Sequence, residues 1–475
     1  MLARFFEFEK HGTDLSTEIR AGVTTFLTMS YIIVVNPAIL AAAQIPKGPA
    51  TIATIIAAVV GTLIMGLYAK RPIAVAPYMG ENAFIAFTVC SPALIGASWQ
   101  TALGAIFIGG VVFVIITALR LRGWLAQAVP SNLKYSFVVG IGLFLTFIGL
   151  VNTGVVALPG VLDVLNIDGM PAETKVGILQ NSFFGNIPPP PVRLGDLTSP
   201  HVLLSLVTLV SMVTLMIRKV RGAILYSILG VTLLSIILKV SGVDILGVNL
   251  PDRVFARWAD IKGVSEIAFQ LDILGALKIS FIPVLLTVFL MDFVDTMGTL
   301  IGVSDRAGFL DEDGNLPEIE KPMMADAVAT VVGSLVGTTT TGAYIESAAG
   351  IEEGGRTGFT SVVTALLFAA ALLFTPVFTI VPACAYGPAL IVVGILMLGA
   401  VKKIDFDDMT ELFPAFMTIV LMIFTYNLGI GITAGFIFFP LTKVLAGRVE
   451  EINFGTWILF GISAVFYMLY GITFH

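Results

Sequence analysis

Long apolar runs recur along the chain at a spacing that predicts a set of membrane-crossing helices. In the first half they fall at 21–35, 49–68, 101–119, 133–151, 202–217 and 223–240. In the second they fall at 279–302, 325–336, 358–374, 413–426 and 430–445, with another expected after Val381-Pro382. Arg20 marks the entry to the first run, and Asn36-Pro37 reads as its close. Polar segments at roughly 153–200, which contains the run Pro188 to Pro191, and at 241–277 separate these runs. A last apolar stretch, 457–472, either crosses the bilayer or lies in its interface.

Two stretches break the helical pattern. In 72–92, PIAVAPYMGENAFIAFTVCSP, Pro72 and Pro77 forbid a continuous helix over the first part. An extended piece is expected there, with a short helix from near Gly80. In 337–358, GTTTTGAYIESAAGIEEGGRTG, glycines interrupt a segment too polar for a plain span.

The two halves echo each other. Val129-Pro130 followed by Val138-Val139-Gly140-Ile141 matches Val381-Pro382 followed by Val392-Val393-Gly394-Ile395. Gly80-Glu81-Asn82-Ala83 and Ile345-Glu346-Ser347-Ala348 occupy matching places. Together the echoes predict a repeat of seven elements in each half, with 457–472 outside it. Lys70-Arg71, Arg120 and Arg122, Arg218-Lys219-Arg221 and Lys402-Lys403 all fall in joints on the side of the N-terminus, which is therefore expected in the cytoplasm. Seven is odd, so the halves would be inverted. Inverted repeats with paired broken segments are the pattern of a secondary transporter, whose site lies at mid-membrane beside the breaks.

Composition agrees. The chain of 475 residues is 57% hydrophobic and 12% charged, with a mean hydropathy of +0.97. A soluble protein would carry about twice that charge fraction. The net charge of −6 is spread over loops and points to no partner, and no nucleic acid is expected. Cys90 and Cys384 lie far apart in apolar surroundings and imply no disulfide framework. The opening MLARFFEFEKHGTDLSTEIR lacks the apolar core and cleavage site of a signal peptide. There is no GxxxxGK[ST] loop for an ATP-driven pump, no Cys/His cluster with metal spacing, and no Ser/His/Asp constellation. An enzyme and a cofactor are not indicated. The acidic loop 305–321, with Asp311, Glu312 and Asp313, lacks the ligand pattern of a calcium loop and reads as solvated.

The chemistry centres on 279–302, ISFIPVLLTVFLMDFVDTMGTLIG, whose only charges are Asp292 and Asp295. Three positions apart, they share roughly one helix face. A carboxylate inside a membrane costs about 2.5–3.5 kcal/mol even by the lenient insertion scale, so that face belongs against a polar cavity. The plain alternative is a structural pair tying two helices together. The breaks near 78–84 and 344–348 should meet this face, each offering a half-helix N-terminus with unpaired N–H groups. The available polar groups are Glu81, Asn82, Asp292, Asp295, Glu346, Ser347 and Thr338 to Thr341. The set is rich in acceptors and lacks a fixed positive side chain, which suits a neutral ligand with N–H donors or a cation better than an anion. Carboxylates shielded from water can also carry protons near neutral pH, which makes Asp292, Asp295, Glu346 and Glu81 the proton-coupling candidates. Each residue has a plainer role: Asn82 as a cap, Glu81 as a gate or surface group, the threonines as partners of a bent backbone. Tyr31, Phe84, Phe293 and Tyr344 are placed to stack on a planar ligand, yet aromatics in such a chain mostly pack. His11, His201 and His475 fall at loop or terminal positions and receive no role.

Three stretches, HGTDLSTEIRAGVTTFLTMSYIIVVNPAIL, FVDTMGTLIG and TTTTGAYIESAAGIEEGGRTG, closely resemble the adenine/guanine/hypoxanthine permeases. These form the AzgA-like branch of the nucleobase–cation symporters, related to the xanthine and uracil permeases. The resemblance covers essentially the whole chain. It implies an all-helical membrane protein of fourteen elements in two inverted sevens, with two short antiparallel strands before half-helices 3 and 10. It also implies a core domain, 1–121 with 279–376, and a gate domain, 122–278 with 377–475. Purine uptake coupled to protons, an elevator-like movement of core against gate, and a possible homodimer in the cell membrane are implied as well. Residue by residue, the family's acidic site on element 8 falls on Asp292 and Asp295, its glutamate on element 10 on Glu346, and its asparagine on element 3 on Asn82. Which aspartate binds base and which handles the proton stays open. Glu81 departs from a neutral residue expected in many relatives, and no span carries the histidine that uracil-type relatives use.

The expected function is therefore proton-coupled import of a purine base. Asn82, Phe84, Asp292, Asp295, Glu346 and Ser347 would bind it: Glu346 and one aspartate accepting its N–H groups, Asn82 reading an edge, and backbone N–H groups near Phe84 and Ser347 completing the set. The rivals are an anion carrier or exchanger of the same fold and, further off, a channel.

Overall fold

The computed structural model describes residues 2–92, 94–119, 128–157, 192–243, 245, 247–248, 250, 253–311 and 316–474. Arg120, Arg122, the run Pro188 to Pro191, Glu312, Asp313 and His475 lie outside the described residues.

Leaving aside the shortest turns, the chain runs α1 Leu15–Met29, α2 Ile32–Leu40, α3 Lys47–Leu67, β1 Val75–Pro77, α4 Met79–Phe84, α5 Trp99–Ala118 and α6 Ser131–Asn152. It continues through β2 Val156–Ala157, β3 Arg193–Leu194, α7 Pro200–Ile217 and α8 Ala223–Val240. The second half comprises α9 Ile282–Ala307, α10 Glu320–Val336, β4 Thr341–Ala343, α11 Ser347–Glu352, α12 Gly358–Ala371, α13 Ala383–Leu398, α14 Met409–Phe424, α15 Leu428–Leu445 and α16 Phe454–Phe474. Among the described residues, 11 helical stretches are long and apolar enough to cross a membrane, the last of them within α16. The protein is a multi-pass membrane protein.

Polar residues set the helix starts. Asp14, Ser98, Ser199, Thr357, Asp408 and Asn427 each accept a backbone N–H of the first turn of their helix. One expected stop fails. Asn36-Pro37 does not close the first span, which breaks at Ser30-Tyr31 and continues as α2 with Pro37 inside it. A proline removes one N–H, and inside a protein-packed membrane helix its neighbours re-satisfy the backbone.

The broken segments meet as expected. β1 and β4 pair antiparallel, with Val75 opposite Ala343 and Pro77 opposite Thr341. The ladder is only three residues long, and side chains extend it: the Thr62 hydroxyl bonds both N and O of Val75, and the Thr330 hydroxyl bonds both N and O of Thr341. No backbone group of the strands is left to lipid at these points.

Helix contacts fall into two groups. In one, α12 packs on α1 and α3, α10 on α3 and α5, and α9 on α5. In the other, α6 packs on α13 and α14, α13 on α7, and α14 on α15, with α16 against α15. The α6–α13 contact depends on small residues: a Cβ at Gly394 would lie 2.3 Å from the Gly142 carbonyl oxygen. Glu18, fully buried, fastens α1 to the start of α12 by accepting the N–H groups of Arg356, Thr357 and Thr360.

Candidate functional site

The strand crossing positions everything else. α4 leaves it in one direction and α11 in the other, and α9 packs against α4, β4 and α11. Tyr78 and Tyr344, the residues that follow the two strands, stack with ring centroids 6.2 Å apart and planes 10° apart. The Tyr344 hydroxyl donates to the Pro77 carbonyl at 2.5 Å, and the Tyr78 hydroxyl to Thr296 at 3.4 Å.

Acids surround this pair. Tyr344 lies within electrostatic reach of Glu346, Glu81 and Asp295, and Tyr78 of Asp326, Asp295 and Asp292. Glu81 is fully buried, and the carboxyl it faces is that of Asp295. Asp292, buried on the same helix face, receives the Thr330 hydroxyl at 3.5 Å. Glu346, half-buried, accepts the Tyr31 phenol at 2.5 Å. Glu81, Asp292 and Asp295 thus lie together around the tyrosine pair, and Glu346 comes near it through Tyr344. Neither α4 nor α11 carries a lysine or arginine, and α9 carries none before Arg306.

Asn82 does not cap α4. Its amide donates to Asn36 Oδ1, and Asn36 in turn donates to Thr54 at 2.8 Å and Thr338 at 3.0 Å. The Oδ1 of Asn82 has no partner among the described residues. Phe84 is buried on the same half-helix. The Ser347 hydroxyl accepts the Ala74 N–H at 3.0 Å, and the Ser347 N–H goes to the Tyr344 carbonyl, so both are engaged within the fold in this state. Phe293 stacks on Phe113 and serves packing. Of the threonine run, Thr338 serves Asn36 and Thr341 turns back on the Thr339 carbonyl.

Sequence reasoning missed Asp326. It is fully buried on α10, its Oδ1 accepting the Ala343 N–H at 2.9 Å and its Oδ2 the Thr296 hydroxyl at 2.6 Å. The signal was present, since it is the only charge inside the apolar run 325–336. Asn36 was hidden because Asn-Pro reads as a stop.

Paired broken segments around a buried acidic centre, in a multi-pass helical protein, define a membrane transport protein. The chain matches the Permease family model Xan_ur_permease over residues 16–179 and 172–437, and it belongs to that family. It is 38% identical over 452 residues to the adenine permease AdeQ of Escherichia coli, covering 95% of this chain and 93% of that one. It is 39% identical over 460 residues to the guanine/hypoxanthine permease PbuO of Bacillus subtilis, covering 94% and 96%. These relatives are permeases, and the chain is not an enzyme. Among solved structures, the transmembrane domain of the cyanobacterial bicarbonate transporter BicA superposes with a TM-score of 0.60 at 17% identity, over 89% of this chain and 97% of that one. That likeness concerns the fold.

Proposed function

We propose that the chain imports purine nucleobases of the adenine, guanine and hypoxanthine class across the cell membrane by proton symport. The observation that carries this reading is the acceptor set at the strand crossing, Glu81 and Asp292 buried and Asp295 and Glu346 half-buried, without a cation on the half-helices. A neutral heterocycle offers N–H donors to such a set, and relatives named for adenine and for guanine/hypoxanthine match nearly the whole chain. In this reading Glu346 and one of Asp292 and Asp295 accept base N–H groups, the free Oδ1 of Asn82 reads an edge, and Phe84 and the backbone near Ser347 complete the pocket. Charge-assisted bonds of about 1.5–3 kcal/mol each are enough for micromolar affinity. Glu81, fully buried, faces the half-buried Asp295, and two like charges so placed are held together best by a shared proton. The pair is therefore the proposed proton carrier.

The proposed architecture is fourteen elements in two inverted sevens, with the N-terminus in the cytoplasm. Exchanging α1 with α9, α3 with α10, α5 with α12, α6 with α13, α7 with α14 and α8 with α15 carries the packing onto itself. Thus α12 on α3 becomes α5 on α10, and α6 on α14 becomes α13 on α7. The two contact groups support the proposed division into a core, 1–121 with 279–376, and a gate, 122–278 with 377–475. An elevator-like movement of core against gate, in a chain that can pair as a homodimer, is the proposed cycle. An anion carrier of the same fold is the second reading, and the acidic centre argues against it, since an anion would need those carboxyls neutralised.

The test is uptake of radiolabelled hypoxanthine in cells lacking their own purine carriers, competed with unlabelled adenine, guanine, xanthine, uracil and uric acid, with and without a protonophore. Saturable uptake blocked by purines and by the protonophore supports the reading. Normal uptake by both Glu346→Gln and Asp295→Asn would place the site elsewhere, and no uptake of any base would favour the anion reading.

A further inference from the structure

Half-helix α4 does not end as an α-helix. Its continuation, Ile85–Val89, is a π turn, a geometry found mostly where it is used. The turn presents Thr88, whose hydroxyl donates to the carbonyl of Tyr426 at 2.6 Å. Tyr426 lies in the joint between α14 and α15 with φ +55°, a left-handed conformation that a bulky side chain seldom adopts. Its ring is met edge-on by Phe87, Phe144 and Phe147 at centroid distances of 6.5, 5.2 and 5.9 Å.

The other half-helix ends in a matching way. Beyond α11, the Glu353 carboxylate receives the guanidinium of Arg221, which lies in the joint between α7 and α8. That joint also turns left-handed, at Lys219 with φ +56° and at Gly222 with φ +74°. A Cβ at Gly222 would stand 3.2 Å from the Leu27 carbonyl of α1, so the joint rests closely on the first group of helices. Each contact thus runs from the outer end of a half-helix to a helix hairpin of the second group. Because β1 and β4 are antiparallel, α4 and α11 carry the contacts to opposite ends of the molecule.

We infer that Thr88–Tyr426 and Arg221–Glu353 are paired latches, one at each end of the transport path, whose relative strength sets which side of the site opens. This rests on the proposal that the first group of helices moves against the second. The Thr88 latch is neutral and buried, and the Arg221 latch is ionic and open to water, with the two side chains 54% and 19% exposed. Opening toward one side breaks one latch while the other holds. Weakening one latch therefore moves the population opposite to weakening the other, and salt acts on the ionic latch alone.

The chain supplies its own reporter. Cys90 ends the π turn, two positions from Thr88, and is buried in this state. With Cys384→Ala it becomes the only thiol, and its reaction with a polar maleimide in lipid nanodiscs reads opening at the Thr88 end from either face. Thr88→Val should speed labelling by about two- to tenfold, as expected for the loss of one hydrogen bond. Glu353→Gln and Arg221→Gln should slow it by about two- to fivefold, as expected for an exposed ion pair. The double exchange Arg221→Glu with Glu353→Arg should restore the original rate. Added salt should slow the Cys384→Ala background and leave Arg221→Gln unchanged. Shifts of the same sign at both ends, no shift in monodisperse protein, or failure of the double exchange would overturn the latches. Labelling needs no purine, so it remains decisive even if uptake of nucleobases fails, which would sink only the transport reading.

Discussion

The phenol of Tyr31 donates a 2.5 Å hydrogen bond to Oε1 of Glu346, joining the break between α1 and α2 to a half-helix 315 positions later. Tyr31 is 1% exposed, so its hydroxyl has no water to turn to. Tyr31→Phe removes the donor and leaves the ring in place. We expect KM for the transported base to change by about ten- to a hundredfold, in line with a charge-assisted bond of about 1.5–3 kcal/mol, with little change in thermal stability. Uptake kinetics and a melting curve on the same preparation check this. An unchanged KM would remove Glu346 from the binding set.

Asp326 ties α10 to β4 and α9 through one oxygen each. Asp326→Leu takes the acceptor from both donors and leaves the buried Ala343 N–H without one. A loss of about 1–3 kcal/mol is expected, read as a melting temperature lowered by several degrees and as lost base binding. Wild-type stability in this variant would mean that the strand pair does not depend on Asp326.

The α6–α13 crossing admits no side chain. A Cβ at Gly394 would fall 2.0 Å from the Thr146 hydroxyl, while one at Gly230 would meet nothing within 4 Å. Gly394→Val should therefore destabilise by more than about 2 kcal/mol or block assembly, and Gly230→Ala should be silent. Fluorescence-detected size exclusion after graded heating separates the two.

Charges at the joint between α13 and α14 set an acid limit. Bonds from the Thr410 side chain, then from Arg448, then from the Thr410 backbone hold the Asp408 carboxyl below its ordinary 3.8. Arg448 also reaches Glu451, and the Lys443 ammonium, 1% exposed, lies 2.7 Å from Glu411 and 2.8 Å from Glu451. A carboxyl depressed in the folded state contributes stability that is fully present above its unfolded value and is lost as pH falls through the folded one. Melting temperature should therefore be insensitive to this cluster from pH 7 to 5 and should fall below about pH 4, with Asp408→Asn removing part of that dependence. A cluster-dependent loss between pH 7 and 5 would contradict the assignment.

Much of the site was legible in the chain. Pro72 and Pro77 predicted the extended piece that became β1, and the glycines of 337–358 predicted the second break. Intramembrane acids at Asp292 and Asp295 predicted a polar centre, because lipid will not hold two carboxyls on one helix face. Asn82 and Glu346 were read from the breaks themselves, and the resemblance pointed to the same two positions.

Other features waited on the fold. Asn36 read as a terminator, because local proline rules describe a helix in water, whereas here the span continues and turns Asn36 toward Asn82, Thr54 and Thr338. Asp326 passed unnoticed, since its partners on α9 and β4 are chosen by packing. Glu18 likewise caps a helix more than 300 positions away, and the offset of 342 positions to Thr360 has no local signature. Spans, breaks and the acids that must be sheltered could be read along the chain, since these follow from the cost of polar groups in hydrocarbon. Which acid faces which donor came with the fold, because that depends on how helices distant in sequence cross, and hydropathy carries no record of it.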